Sequence, residues 1–351
     1  MVGVPLFGNG SAPAVRRPVL EIGFGAGSAE DWGRSVVSVA VEAGLAPSVD
    51  AVEVYLDGGD QAPSAAVGDT GSVSLGYEDG STELVFSGML EDVRYDARGA
   101  TRITATNGGA ALSKLRVNQG YEQQKAGGIV NDLAGRAGIG TDTVADGVEF
   151  PYYVVDDRWS AYLHVAALAR KSGCLARFTR EGKLSFSPSA TGQPVQTFTY
   201  GVDIMKLEVT DAAPVMGAVT VIGEGAAGSQ GQEAWSWLVK DPSSVTGSAG
   251  DGPPERTLQD PSLRSGGAAR SAAEGIADAV GLEKLTGRLL VPGASAVTVG
   301  STVEISDAPR DVLNGSCLVR RVLHRFSKAK GFNTLIHFSK TGDGDLLGGL
   351  L

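Results

Sequence analysis

The sequence predicts a mainly β chain with an α+β middle, in which two β-modules flank a block of helices and a hairpin. Three observations predict it: one strand-and-turn grammar appears in each half, the middle switches to helical spacing, and a long stretch of low hydrophobicity interrupts the second half. At 351 residues the chain exceeds one ordinary core and fits two to four domains.

The first copy of the grammar opens at Val67-Gly68-Asp69-Thr70, continues through Val73-Ser74-Leu75 and Phe86-Ser87-Gly88-Met89-Leu90, and closes after Gly99 with Arg102-Ile103-Thr104-Ala105-Thr106. The second opens at Val299-Gly300-Ser301-Thr302, continues through Val303-Glu304-Ile305 and Leu313-Asn314-Gly315-Ser316-Cys317, and closes after Gly331 with Asn333-Thr334-Leu335-Ile336-His337. In each copy 31 residues separate the first glycine from the last. Because the chain has 50 glycines, the weight rests on the strands and turns around them.

Residues 1–18 are rich in Gly, Asn, Ser and Pro and read as an N-terminal arm. From residue 19 to about 117, short alternating runs (Val37, Val39, Val41; Val52, Val54, Leu56; Val73, Leu75) are punctuated by Asp57-Gly58-Gly59-Asp60 and Glu78-Asp79-Gly80-Ser81, the signature of a sandwich or barrel. Residues 118–190 form the middle. Ile129, Val130, Leu133 and Ala137 follow helical spacing to Gly138, and Trp159, Tyr162, Leu163, Ala166 and Ala169 do so to Gly173, with Asp157 as the expected N-cap of the second helix. A hairpin is expected over Leu175–Phe178 and Leu184–Phe186, turning at Glu181-Gly182.

The second β-module is assigned to 191–223 and 284–340, with strands expected at Val195–Tyr200, Lys206–Val209 and Val219–Ile222 and an Asn314-Gly315 hairpin turn. An insertion over 224–283 holds a polar loop and a helix from about Ala268 to Val280, and 341–351 is a C-terminal tail.

Forty acidic against thirty basic residues give a net charge of −10, which opposes binding to nucleic acid. No stretch approaches the ~18 apolar residues of a membrane span, so no membrane anchor is expected and assembly is placed in the cytoplasm. Cys174 and Cys317 read as buried small hydrophobes.

The segment Val19-Leu20-Glu21-Ile22-Gly23-Phe24-Gly25-Ala26-Gly27 looks like the glycine-rich motif of adenosylmethionine-dependent methyltransferases, and Glu42 stands where the ribose-binding acid would. A βαβ crossover needs ~10–12 residues or more including a helix, and only Ser28 to Ser35 are available before the next apolar run. His164 with Cys174 as a nucleophilic pair, and Cys317 with His337 as zinc ligands, lack further partners. The pair Asp156-Asp157 fits a helix entry better than acid/base chemistry. No cofactor, metal or catalytic residue is therefore expected. Trp235 and Trp237 share one face of an extended segment, as in a sugar platform or a protein contact, against ordinary packing on their own module. Leu346, Leu347, Leu350 and Leu351 form an apolar tail end expected to dock on a neighbouring subunit, on a partner, or back on its own chain.

The run from Asp157-Arg158-Trp159-Ser160 to Ser172-Gly173, then Gly182-Lys183-Leu184-Ser185-Phe186, resembles the middle of phage tail hub proteins. Leu285-Thr286-Gly287-Arg288-Leu289, Pro292-Gly293, His324-Arg325-Phe326 and Gly331-Phe332-Asn333-Thr334 are similar to that family's C-terminal barrel. The family comprises baseplate hubs of contractile tails, related to late-control D proteins and to the N-terminal part of type VI secretion spikes. The resemblance implies two tail-tube-like antiparallel β-barrels flanking the middle domain, and a homotrimer whose six barrels stack on a hexameric tail tube while the other face receives a trimeric spike. It also implies baseplate wedge proteins as neighbours, and a place in a phage virion or a contractile injection particle. Spike fusions of the family continue into a further barrel and a β-helix, whereas this sequence stops at Leu351, so the spike is expected to be a separate protein. The structural hub is thus the leading expectation; a methyltransferase and a carbohydrate-binding β module are the alternatives.

Overall fold

The computed structural model describes residues 16–25, 29–57, 63, 65–80, 82–97, 99–189, 193–224 and 242–341. The first module holds β1 (Pro18–Phe24), α1 (Ala29–Ser35), β2 (Val36–Gly44), β3 (Ala51–Leu56), β4 (Thr70–Tyr77), β5 (Glu83–Tyr95) and β6 (Thr101–Thr106). The middle holds α2 (Gly108–Lys114), β7 (Gln119–Lys125), α3 (Ala126–Arg136), β8 (Thr141–Val144), β9 (Glu149–Val155), α4 (Ala161–Lys171), β10 (Cys174–Phe178) and β11 (Leu184–Pro188). Then come β12 (Gln196–Thr199), β13 (Lys206–Asp211), β14 (Ala218–Ile222), β15 (Thr246–Gly250), β16 (Glu255–Gln259), α5 (Gly266–Lys284), β17 (Leu285–Pro292), β18 (Thr302–Ser306), β19 (Gly315–Ser327) and β20 (Gly331–Lys340).

The repeat is present in the topology. The first module orders its strands β1-β4-β5-β6-β3-β2, and the second β12-β18-β19-β20-β17-β13. Fine geometry repeats as well: Gly68 N donates to Leu90 O and Leu90 N to Asp69 O, while Gly300 N donates to Val319 O and Val319 N to Ser301 O. Both glycines have positive φ, at 97° and 80°. A bulge follows in each, between Leu90 and Asp92 against β6 and between Val319 and Arg321 against β20. One difference stands out, since β1 joins β4 antiparallel whereas β12 joins β18 parallel.

The expectation of two barrels is corrected. Among the described residues no sheet closes: beyond its pairing with β3, β2 does not return to β1 but pairs antiparallel with β19, from Arg321↔Gly44 to Ser327↔Ser38. The two modules thereby merge into one open twelve-stranded sheet. Alternating hydrophobicity fixes which face of a strand is buried and leaves open which edge meets which, so the pattern suited a barrel equally well.

The core follows the alternation. Val39, Val41, Val52, Val54, Val73, Leu75, Leu90 and Ile103 point inward, with Phe24 and Trp32 stacked edge to face at 5.8 Å, and Phe326 and Phe332 reach in from the second module. Leu289, Val291, Val303, Ile305, Cys317, Val319, Ile336 and Phe338 fill the second module. A third core joins the middle block to α5 and β14, through Val219, Val221, Ala272, Ala273 and Ile276. Val219–Ile222, expected in the second module, thus belongs elsewhere: β14 is the central strand of a separate sheet with β15 and β16. That sheet occupies part of the stretch expected to be loop, where β-branched residues are few and the apolar run is too short to read.

Local chemistry explains the helix ends. Gly138 (φ 71°) and Gly173 (φ 61°) end α3 and α4, as the spacing requires. The N-cap of α4 is Ser160, whose hydroxyl accepts from Leu163 N at 3.3 Å. Asp157, the expected cap, accepts instead from Asn118 Nδ2 at 3.0 Å. The hairpin β10–β11 turns at Gly182 (φ 76°), as expected. Asn314-Gly315, by contrast, makes no two-residue turn: β18 and β19 are joined by a longer loop containing a 3-10 turn at Asp311–Leu313. The Asn314 side chain clamps that loop, its Oδ1 accepting from Ala308 N at 2.8 Å and its Nδ2 donating to Ala308 O at 2.9 Å.

Candidate functional site

Strand alternation gives the merged sheet a polar face that runs across both modules opposite the core. Along it, Lys206 and Arg288 pair with Glu208, Arg321 with Glu42, Arg102 with Glu53 and Arg94 with Asp92. Arg325, also on this face, forms no ion pair among the described residues. His337 sits beside Arg288 and Arg321 in register, and burial followed by these two cations holds its imidazole below the usual histidine range. The face is a mosaic of both signs, without a run of unpaired basic residues among the described residues. Such a mosaic offers no strong grip on a polyanion.

A second feature lies where both modules meet the middle block. Asp50, on the β2–β3 connection, accepts from Gly44 N at 2.9 Å and from Asn107 Nδ2 at 2.8 Å. Asn107 in turn caps α2, its Oδ1 accepting from Gly109 N at 2.9 Å. Burial pushes the Asp50 carboxyl up to about 7 despite these donors. Across the junction, buried His324 approaches Thr334 Oγ1 through Nδ1 at 2.9 Å, and that hydroxyl accepts from Ala294 N at 2.9 Å. Burial, with Arg180 nearby, pushes His324 down to about 3, so its ring is neutral. From the β10–β11 turn Arg180 reaches both modules, to Glu83 at 3.0 Å and to the Ser295 carbonyl at 2.6 Å. A cavity of about 220 Å³ lies among Ala43, Asp50, Arg180, Val299 and His324. Sequence reasoning missed Asp50, Asn107 and Arg180, because the bonds that join them across the junction, Asn107 to Asp50 and Arg180 to Glu83 and Ser295, span 57 to 115 residues and carry no local motif.

The enzyme-like candidates separate in space. Val19–Phe24 belongs to β1, an edge strand antiparallel to β4, and not to a parallel crossover, and Gly25 N donates to Thr70 O just beyond it. Glu42 pairs with Arg321. His164 is bonded elsewhere, with Nε2 3.1 Å from Asp156 O and Nδ1 3.4 Å from Tyr153 Oη. Burial raises the Cys174 thiol to about 11 and the Cys317 thiol to about 12, away from any nucleophilic role. Cys317 faces the core while His337 lines the polar face. Among the described residues no group of three His, Cys, Asp or Glu is placed to hold a metal, and no helix is long and apolar enough to cross a membrane. Trp235, Trp237, Leu346, Leu347, Leu350 and Leu351 lie outside the described residues.

Twin six-stranded modules of one strand order are fused edge to edge, with an α+β block between them in the chain. The chain is similar in structure to the 43 kDa tail protein of prophage MuSo2 from Shewanella oneidensis, at 13% identity and a TM-score of 0.68, covering 92% of this chain and 98% of that one. It is similar also to a tail protein from Neisseria meningitidis MC58, at 11% identity and a TM-score of 0.70, covering 93% and 97%. A third likeness is to an E. coli component of the type VI secretion system, itself described as structurally similar to the T4 bacteriophage tail proteins gp27 and gp5, at 11% identity and a TM-score of 0.62, covering 92% and 77%. No protein-family model matches the sequence, and no curated protein matches it either.

Proposed function

We propose that the chain is a non-enzymatic structural hub that joins a hexameric tail tube to a trimeric spike in a contractile injection machine, either a phage tail or a phage-derived particle. The observation that carries this reading is the doubled module: one chain presents two near-equivalent but unequal units, so three chains offer six positions to a tube and only three to a spike. The middle block with its α5 insertion occurs once per chain and supplies the threefold component. The tail-protein fold supports the same reading.

In this reading the polar face lines the channel, where a mosaic of paired charges lets cargo pass without holding it. Mass photometry of the purified protein and cryo-electron microscopy of the assembled particle test the proposal. Three copies at the junction of tube and spike are expected. Six copies, or specific micromolar binding of adenosylmethionine, would remove it.

A further inference from the structure

We propose that the cavity where both modules meet the middle block binds a small oxyanion, a carboxylate or a phosphate-type ion, held by the guanidinium of Arg177. Such a site stands whether or not the chain is a hub.

A cation withdrawn from water is costly unless an opposite charge or a full set of acceptors takes the water's place. Arg177 has neither within the described residues. It is half-buried on β10 and forms no ion pair there, and the one hydrogen bond of its side chain runs from Nη1 to Ser187 Oγ at 3.3 Å. Burial holds the guanidinium below the usual arginine range, and Asp142, on β8 at the other edge of that sheet, opposes the shift. The side chain is placed by a glycine. A Cβ on Gly300 (φ 80°) would lie 2.8 Å from Arg177 Cδ and Nε and 3.1 Å from Cζ, so the guanidinium rests on the glycine turn of the second module. At Gly68, the equivalent turn of the first module, a Cβ would meet nothing within 4 Å.

Arg177 lines the 220 Å³ cavity with Arg180, Asp50, Thr298 and His324, a space large enough for several waters and so for sulfate, phosphate or a short carboxylate. Each neighbour has a separate part. Arg180 spends its fork on Glu83 and the Ser295 carbonyl, and His324 is neutral and bonded to Thr334 and the Val297 carbonyl, which leaves Arg177 to grip an anion. Two N–H groups of one planar guanidinium match two oxygens of a carboxylate or phosphate. The Thr298 hydroxyl, which makes no hydrogen bond among the described residues, supplies a further donor. Asp50 sets the pH response: it keeps its proton to about 7 and accepts from Gly44 N and Asn107 Nδ2, with Glu42 on β2 and the Tyr162 hydroxyl on α4 behind it and Arg177, Arg180, Glu181 and His324 around the cavity. Once ionised it repels an anion in the same space. Affinity is therefore expected to fall as pH rises through about 7.

Melting of the full chain in sodium sulfate, sodium phosphate and sodium acetate, each against sodium chloride at equal ionic strength, tests the site. A ligand of the folded state raises the melting temperature with its concentration, whereas the general salting-out effect of sulfate raises parent and variant alike. Arg177→Gln, which keeps hydrogen-bonding capacity without the charge, is expected to lose the anion-specific part of the shift and to weaken binding in isothermal titration at least ~tenfold; Arg177→Lys should keep a reduced part. Sulfate holds its charge across neutral pH, so weaker sulfate binding at pH 8 than at pH 6 reports the protein, and Asp50→Asn should remove that difference. A specific response to acetate alone assigns a carboxylate, and one to sulfate and phosphate assigns a tetrahedral ion. Equal responses of the parent and Arg177→Gln to all three anions, or no response beyond that in chloride, overturn the site. If Arg177→Gln does not fold, Thr298→Val is compared with the parent in the same way, and an unweakened response overturns the site as well.

Discussion

At the residue scale, the two modules fill the same site with exchanged volumes. Val52 faces Ala105 in the first module, and in the second Gly287 faces Phe338. A Cβ on Gly287 would run into the Phe338 ring and the Glu208 carbonyl. Gly287→Val is therefore expected to cost about 1–3 kcal/mol or more by overpacking. Adding Phe338→Ala, which copies the first module, should recover part of that loss; chemical denaturation of the two variants measures it. Two buried groups give stability opposite pH slopes. Asp50 keeps its proton to about 7 in the fold but releases it near 3.8 when unfolded, so the fold binds more protons between these values and loses stability as pH rises through them. His324 stays neutral down to about 3 in the fold but is protonated below about 6.5 when unfolded, so stability is lost as pH falls through that window. Asp50→Asn should steepen the rise of melting temperature from pH 4 to 6.5, and His324→Gln should flatten it.

At the element scale, α5 meets α4 through a glycine. A Cβ on Gly275 would meet Arg170 O at 2.6 Å and Gly173 N at 2.7 Å, and beside this contact Lys171 pairs with Asp260 at 2.7 Å. Helix propensity alone favours Gly275→Ala by up to about 1 kcal/mol. Close approach reverses the sign, and the variant is expected to melt lower than the parent in calorimetry. Helices α3, α4 and α5 were legible because each has a long apolar periodicity with a terminating glycine or a clear cap region. β15 and β16 were not, because Thr246–Gly250 and Glu255–Gln259 are short and polar; both pair with β14, and β14 and β15 pack under α5.

At the scale of the whole molecule, the sequence revealed the repeat but misread part of its basis. The equal glycine spacing hides compensating differences: Gly68 bonds Leu90, 22 residues on, whereas Gly300 bonds Val319, 19 residues on. The second hairpin regains the difference, with β19 paired to β20 as far as Ser327↔Gly331. Real equivalence resides in strand order, bulge and φ-positive turn, and the seam between modules joins residues nearly three hundred positions apart, beyond any local signal. Amide hydrogen exchange should rank β2 and the second half of β19 among the slowest in the isolated chain, with β13 and Asp92–Tyr95 fast. Equal protection of β13 and β2 in the monomer would contradict the sheet order described above.

The seam also has a mechanical meaning. Seven facing pairs from Arg321↔Gly44 to Ser327↔Ser38 lie side by side along two antiparallel strands. A force that slides one module past the other along the strand direction loads all of those backbone bonds together, and a peeling force perpendicular to the strands breaks them in turn. A thrust along the strands therefore meets the fold in its stiffest direction, and a sideways tear meets it in its weakest.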